Sequence, residues 1–519
     1  MPADSLASRS LPAMEAEDIT AWLQSPWFWV ALSTVAALPL LICPGLPPLN
    51  DLGGHLGRYA IQLDAGRSAD LRQWYGFHWG LLPNLGVDLL VQGLAPELGL
   101  ERALRLIVIA IPVVQVSGFL ALARAAHGRV TPFALFAMPL AYGYPFQFGF
   151  LNFSLCAGLA TWSIALWIGL EGRISAWLRW WIFVPICCVL WICHLVGWAL
   201  FCIFAAADTL TNTRKLGMTW ASTFARTIGL LSCALVPWLL KLVFSSSGGG
   251  HGKTSELFDV AEKLGYLMMP LRDACVLWDI GSAVLLFGLI GWGWRSERFS
   301  RHAGLTCGVL CLAAIFMLMP GTLLGSSMAD MRLVPSLAGF ALIAVRPAVT
   351  CDKRLVLSLI CGGLLFTGVR FAGNAASLLQ LSRQFSQDLA VLDRLPRGAT
   401  LISLAVEPCS QSYQTWSRAR RSHLGGYAIA RRHDFSNDQW VIPGGQLLHV
   451  SNPGLGAFAT DPSELAHYPE CQDTGALPYV LQQVPRTGYL WIIYDGVARP
   501  IAGWRPTMKS PGSVIYVPA

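Results

Sequence analysis

Pro48-Leu49-Asn50-Asp51-Leu52-Gly53-Gly54-His55-Leu56-Gly57-Arg58 follows directly on the first long apolar segment, 25–47. An apolar run followed at once by an acid, a histidine and an arginine is the pattern that decides the fold class. Asp51, His55 and Arg58 recur at i, i+4 and i+7, so a helix places all three on one face. A carboxylate beside a base and a cation, where a chain leaves the bilayer, suits a reaction on a lipid-linked phosphate. The same spacing also suits an interfacial helix whose polar face meets water. Spacing alone leaves both readings open.

The rest of the chain is apolar enough to make the membrane its solvent. Of 519 residues, 54% are hydrophobic and 13% charged, with 21 Trp, and the mean hydropathy is +0.51. Successive runs reach the roughly 20 residues that cross a hydrocarbon core. The expectation is an α-helical polytopic membrane protein. Its net charge of +7 then speaks to topology, not to nucleic acid. Glu15, Glu17 and Asp18 precede the first apolar stretch, without a basic n-region or an Ala-x-Ala-like cleavage site, so it reads as a retained anchor.

About eleven crossings are expected, near 25–47, 103–122, 131–144, 152–170, 180–193, 195–208, 227–244, 275–293, 303–320, 333–349 and 355–372. The stretch 180–208 is read as two short crossings broken at Cys193-His194, because one continuous helix buries His194 at mid-bilayer depth. With 1–24 as a cytoplasmic segment, the inner loops collect Arg124 and Arg129, Arg173 and Arg179, Arg214 and Lys215, then Arg295, Arg298 and Arg301, and Arg346, Lys353 and Arg354. The short outer loops near 145–151 and 193–195 carry no Lys or Arg, and the one near 321–332 has only Arg332. Fusing 180–208 would put the later basic clusters outside, against the positive-inside rule. A transmembrane domain over 25–381 follows, with long outer loops at 48–101 and 245–274.

This topology carries Asp51, His55, Arg58, His78, Asp88, His194, His251, Lys253, Asp330 and Arg332 to one side, together with everything after about 373. From 382 the apolar runs shorten to strand length, at 400–406, 489–494 and 513–517, between Pro, Gly and Asp clusters. They predict an extracytoplasmic α/β domain over 382–519. Of the 14 Cys, only Cys409 and Cys471 fall in this domain; in an oxidising compartment they form a disulfide pair. The others lie in or beside apolar spans, where a thiol behaves as a small hydrophobe. No Cys-x-x-Cys, His-Glu-x-x-His or Walker-type glycine loop is present.

Transfer from a lipid-phosphate donor needs a base for the acceptor hydroxyl, cations for the leaving phosphate and a groove for the tail. Asp51 suits the base, since it follows an apolar span at once and partial burial raises a carboxylate's basicity. Arg58, Arg332, His194 and Lys253 are the candidate phosphate partners, arginine as a fork and lysine as a point charge. Plainer readings stand beside these. His194 also suits a helix break, and Asp330 and Arg332 suit the anchoring of a span. His251 and Lys253 suit a flexible glycine-rich loop, and the aromatic cluster over 142–153 suits an interfacial belt.

The order of features resembles the C-type (GT-C) glycosyltransferase superfamily, integral membrane enzymes that use polyprenyl- or dolichyl-phosphate sugars. Asn50-Asp51 stands where that superfamily places an essential acid, in the first outer loop. The chain is similar, more closely, to a group of bacterial polytopic proteins. The matching pieces are Asn50-Asp51 through His55 to Arg58, Gly149-Phe150-Leu151-Asn152-Phe153, His194-Leu195-Val196-Gly197-Trp198 and Ala329-Asp330-Met331-Arg332-Leu333-Val334-Pro335, with His423-Leu424-Gly425-Gly426-Tyr427-Ala428 and Pro443-Gly444-Gly445-Gln446 in the outer domain.

The resemblance implies inverting transfer of a sugar from a polyprenyl-phosphate donor to a glycan, lipid or protein acceptor, on the outer face of a bacterial inner membrane. It implies Asp51 as base, with His55, Arg58, His194, Lys253, Asp330 and Arg332 around the substrate. The superfamily's acidic pair, Asp-x-Asp or Glu-x-Asp, is absent here. A divalent metal at Asp51 is therefore not favoured, and no cofactor is expected. The rival reading is a non-catalytic accessory or glycan-recognition subunit of an envelope polysaccharide system. A transporter is weakened by the scarcity of mid-membrane ionisable residues.

Overall fold

The structure, a computed structural model, describes residues 21–244, 254–255, 258–323, 325–409, 416, 420–442, 446–460 and 466–519. Within them, seven helices are long and apolar enough to cross a membrane: Leu100–His127, Leu151–Leu170, Ala176–Cys193, Leu195–Lys215, Trp220–Val243, Val276–Arg295 and Lys353–Arg394. The expected break is present at His194, whose extended backbone (φ −168°, ψ 131°) separates two of them.

The other four expected ranges hold shorter helices. Ala303–Leu318 and Leu333–Ile343 are apolar but brief. The range 25–47 contains Pro26–Val35 and Leu38–Leu41. Between 131 and 149 the chain makes three short pieces, Pro132–Ala137, Met138–Tyr142 and Tyr144–Phe148, each with a proline in its first turn. Proline has no N–H to donate and starts a helix better than it continues one, so the chain restarts at Pro132, Pro139 and Pro145. The pieces are almost wholly buried, packed within the bundle.

The final long helix, Lys353–Leu389, has 37 residues. At 1.5 Å per residue it is about 55 Å long, against a hydrocarbon core of about 30 Å. Its last turns therefore stand clear of the bilayer and carry the C-terminal domain. That domain is built on a mixed sheet in the order Phe435–Ser436, Thr400–Glu407, Tyr489–Ile493, Ser513–Pro518, Trp504–Ser510, with Ala466–His467 also paired to Thr400–Glu407. The pairings of Thr400–Glu407 are parallel, and Ser513–Pro518 pairs antiparallel to both neighbours. The three strands legible in the sequence are the three at the sheet's centre, where both faces are covered.

The C-terminal domain is not a detached appendage. Tyr75–Phe77, in the first long loop, pairs antiparallel with Leu448–Val450. Ile61, Leu71 and Tyr75 of that loop share one apolar core with Ile402, Leu404 and Phe435. Polar contacts add to the seam: Arg420 pairs with Asp273 at 2.7 Å, and Trp416 Nε1 donates at 2.7 Å to Asp279, a carboxylate already paired with Arg370 within the helical bundle. Cys409 and Cys471 are joined as a disulfide, their Cα atoms 5.4 Å apart.

Candidate functional site

Where the helix Leu52–Asp64 begins, Asp51 is its N-cap residue, and its own N–H donates to the Phe148 carbonyl at 2.9 Å. That contact depends on Gly149, which has φ +101° and whose added Cβ would fall 2.9 Å from the Asp51 nitrogen. A side chain is excluded twice there, by conformation and by space. The aromatic turn and the acid are thus seated together, and beside them opens a cavity of about 510 Å³.

Asp51, His55, Arg58, His194 and Arg332 all line this cavity. His194 Nδ1 accepts the Val196 N–H at 3.1 Å, so in the neutral ring the single proton sits on Nε2. Burial, with the Arg332 charge nearby, pushes this imidazole down to about 3, so it stays neutral. Its Nε2 lies 3.4 Å from Arg332 Nη1. Both atoms are donors, so neither satisfies the other. They stand side by side on the cavity wall, two donors with no acceptor between them.

Arg332 is held in place from two sides. Its guanidinium stacks over the Phe150 ring at 4.0 Å, and Nη2 donates to the Ser327 carbonyl at 3.0 Å. Nε is buried without a hydrogen-bond partner among the described residues. Burial lowers this group to about 10, while the Asp51 charge favours its protonated form. A buried guanidinium is thus kept at the cavity wall with donor capacity unspent.

The remaining candidates are placed differently. Arg58 gives both terminal nitrogens to Asp88, at 2.6 and 3.2 Å, and Asn152 Nδ2 donates to the same carboxylate at 3.1 Å. Its fork is spent on the protein, and it braces the helix that carries Asp51. Asp330 does not line the cavity. It accepts from Lys263 at 2.6 Å, and Lys263 also donates to the Phe316 and Met319 carbonyls at 3.0 and 2.7 Å. This fixes the short segment that presents Arg332. Lys253 and His251 lie outside the described residues. His55 is held well below its ordinary value, first by burial and then by Arg58 and His423, so it too is neutral.

The resemblance picked out His423 and Gln446 in the outer domain without placing them in the site, and Trp440 was not singled out. His423, Trp440 and Gln446 line the cavity opposite the aromatic turn. His423 Nε2 is 3.8 Å from Asp51 and its Nδ1 is 3.5 Å from Asp438. Trp440 packs edge-on to His55 and tilted against His423, with centroids 5.4 and 4.8 Å apart. The signal was present as two glycine pairs: Gly53-Gly54 on one side, Gly425-Gly426 on the other. Among the described residues no group of three or more His, Cys, Asp or Glu side chains is gathered to hold a metal ion.

The long-spanned helical bundle with a mixed-sheet domain closing over its first long loop has the GT-C fold. Two solved structures share it along nearly their whole length. ArnT from Cupriavidus metallidurans bound to undecaprenyl phosphate matches at a TM-score of 0.51 and 13% identity, over 96% of this chain and 98% of that one. The apo form of the same protein matches at 0.51 and 15% identity, with the same coverage. The arabinofuranosyltransferase AftD from mycobacteria matches at 0.44 and 15% identity, over 95% of this chain and 40% of its own. No sequence-family model and no curated relative matches the chain.

Proposed function

We propose that the protein is a membrane glycosyltransferase that moves a sugar from a polyprenyl-phosphate donor to an acceptor hydroxyl. The positive-inside bias of the loops supports a reaction on the extracytoplasmic face, and the membrane proposed is the bacterial inner membrane. The observation that carries this reading is the sharing of one cavity by the Asp51 carboxylate and the unspent donor edge of Arg332 and His194. Asp51 takes the proton from the acceptor hydroxyl as its oxygen bonds to the anomeric carbon. The bond from that carbon to the phosphate oxygen breaks, and the charge developing on the phosphate is met by Arg332 and the His194 Nε2–H. Attack and departure on opposite faces invert the anomeric centre. Phe148, Phe150 and Phe153 line the same space and suit the first isoprenes of the lipid. The fold likeness to ArnT, a protein solved with undecaprenyl phosphate bound, supports a donor of that class.

Binding of undecaprenyl phosphate to the purified protein tests the assignment. Arg332→Ala is expected to weaken saturable binding by about tenfold or more, equivalent to about 1.4 kcal/mol, while Asp51→Asn retains it. No saturable binding by a folded wild type overturns the donor reading and favours a glycan-recognition subunit instead.

A further inference from the structure

His423 does not belong to the membrane domain, yet its ring reaches the acid on which the proposed chemistry turns. It lies in the turn before the helix Gly426–Arg432, which packs against Leu52–Asp64. The two helices approach where neither side has a Cβ: one added at Gly53 would fall 2.0 Å from the His423 carbonyl oxygen, and one at Gly426 would fall 2.0 Å from the Gly53 carbonyl oxygen. This backbone contact sets the height of His423 over Asp51 without relying on flexible side chains.

The ring then stands between two carboxylates, 3.8 Å from Asp51 and 3.5 Å from Asp438. Asp438 is fully buried, and its other oxygen accepts the Gly426 N–H at 2.6 Å, so it cannot turn away. A neutral imidazole has one N–H and would present a lone pair to one of the two carboxylates. Both separations are ion-pair distances, longer than a good hydrogen bond, so what the two carboxylates supply is their charge, and that favours the imidazolium over the neutral ring. An imidazolium has no lone pair to take a substrate proton, so His423 is not the base.

We propose that His423 is a positioning residue supplied by the C-terminal domain, an imidazolium clamped by Asp438 that keeps Asp51 ionised and aimed into the cavity. The inference rests on the reading of Asp51 and Arg332 as a reaction centre for a lipid phosphate. It makes the C-terminal domain part of the active site. Other charged or titratable groups facing the ring are His55, neutral through burial, and Arg58, neutralised by Asp88. Beyond Asp51, Arg332 faces the same carboxylate.

The pH dependence of undecaprenyl phosphate binding to the full-length protein tests this without a known sugar. Ionised Asp51 repels the phosphate, so affinity rises as pH falls through Asp51 protonation. Asp51→Asn removes this step and leaves only the ligand's own titration. Taking the cation away from Asp51 makes it protonate more readily, so in His423→Gln the Asp51-dependent step is expected to move to higher pH by about one unit or more. Asp438→Asn, which leaves His423 in place, should shift it the same way by less, and serves if His423→Gln does not fold. Curves for His423→Gln or Asp438→Asn that superimpose on wild type, while Asp51→Asn still removes the step, overturn the role of His423 alone. An Asp51→Asn curve identical to wild type overturns the shared reaction centre, and this inference with it.

Discussion

Gly426 meets the Gly53 carbonyl so closely that a Cβ at Gly426 would lie 2.0 Å from that oxygen. The obstructing atom is backbone on a helix already fixed by Asp88 and Phe148, so it cannot swing aside. Gly426→Ala must therefore prise the C-terminal domain from the first-loop helix. The expected cost is about 3 kcal/mol, the upper end for overpacking a dense interior. Thermal unfolding of the detergent-solubilised protein, with limited proteolysis of residues 400–519, checks it. A variant as protease-resistant as wild type would show that the seam can slide.

Arg58 and Asp88 make a buried pair, with side chains 4% and 0% exposed. Removing one partner leaves a charge in a dry site, so Asp88→Asn is expected to destabilise by about 3–5 kcal/mol. Replacing both, as Arg58→Met with Asp88→Asn, should recover most of that loss. The double variant also separates bracing from substrate binding. If Arg58 only braces, undecaprenyl phosphate affinity in the double variant stays close to wild type. A loss as large as that of Arg332→Ala would return Arg58 to the phosphate site.

The segment 48–58 was legible because helical spacing is local: Asp51, His55 and Arg58 all reach the cavity. What each one does there depends on chain far away. Arg58 ends on Asp88 and Asp51 faces His423, and neither pairing leaves a mark in the intervening spacing. The central strands were legible because runs such as 400–406 are covered on both faces and must be continuously apolar. The range 131–144 was read as one unbroken crossing, and the structure divides it into three short helical pieces. An apolar run buried inside the bundle looks like one facing lipid, and only Pro132, Pro139 and Pro145 betray the breaks. Asp330 and Arg332 are neighbours in sequence, but their charges part: one turns back to Lys263 and the other faces the cavity.

Asp434 gives the C-terminal domain a pH-dependent stability. Its Oδ1 accepts the Ala399 N–H at 3.0 Å, while Oδ2 is buried without a hydrogen-bond partner among the described residues. Burial pushes the carboxyl from 3.8 up to about 7, against the pull of that N–H and of Arg432. The folded state therefore holds a proton that the unfolded chain releases. Its contribution is full below about pH 4 and is lost as pH rises through about 7. His194 acts in the opposite sense: a neutral ring pushed down to about 3 stabilises above its usual 6.5 and loses that contribution as pH falls. Asp434→Asn should flatten the fall in melting temperature between about pH 4 and 7 and leave the acid side unchanged. An unaltered slope would show that Asp434 is ionised throughout.

Lys263 uses all three of its ammonium protons on the protein, two on the Phe316 and Met319 carbonyls and one on Asp330. It never reaches the cavity, yet the segment it ties down is the one that presents Arg332. Lys263→Met should cost about 3–5 kcal/mol by leaving Asp330 buried and unpaired. It should also weaken undecaprenyl phosphate binding, through displacement of Arg332. Lys263→Arg keeps the charge but replaces a compact three-way donor with a planar fork, so it is expected to weaken binding as well. Lys263→Met paired with Asp330→Asn removes the stranded charge and should regain stability without regaining affinity, because the tether to the two carbonyls is still gone. Titration of undecaprenyl phosphate alongside thermal unfolding separates the two effects. Affinity that returns in step with stability would show that Lys263 matters only to the fold.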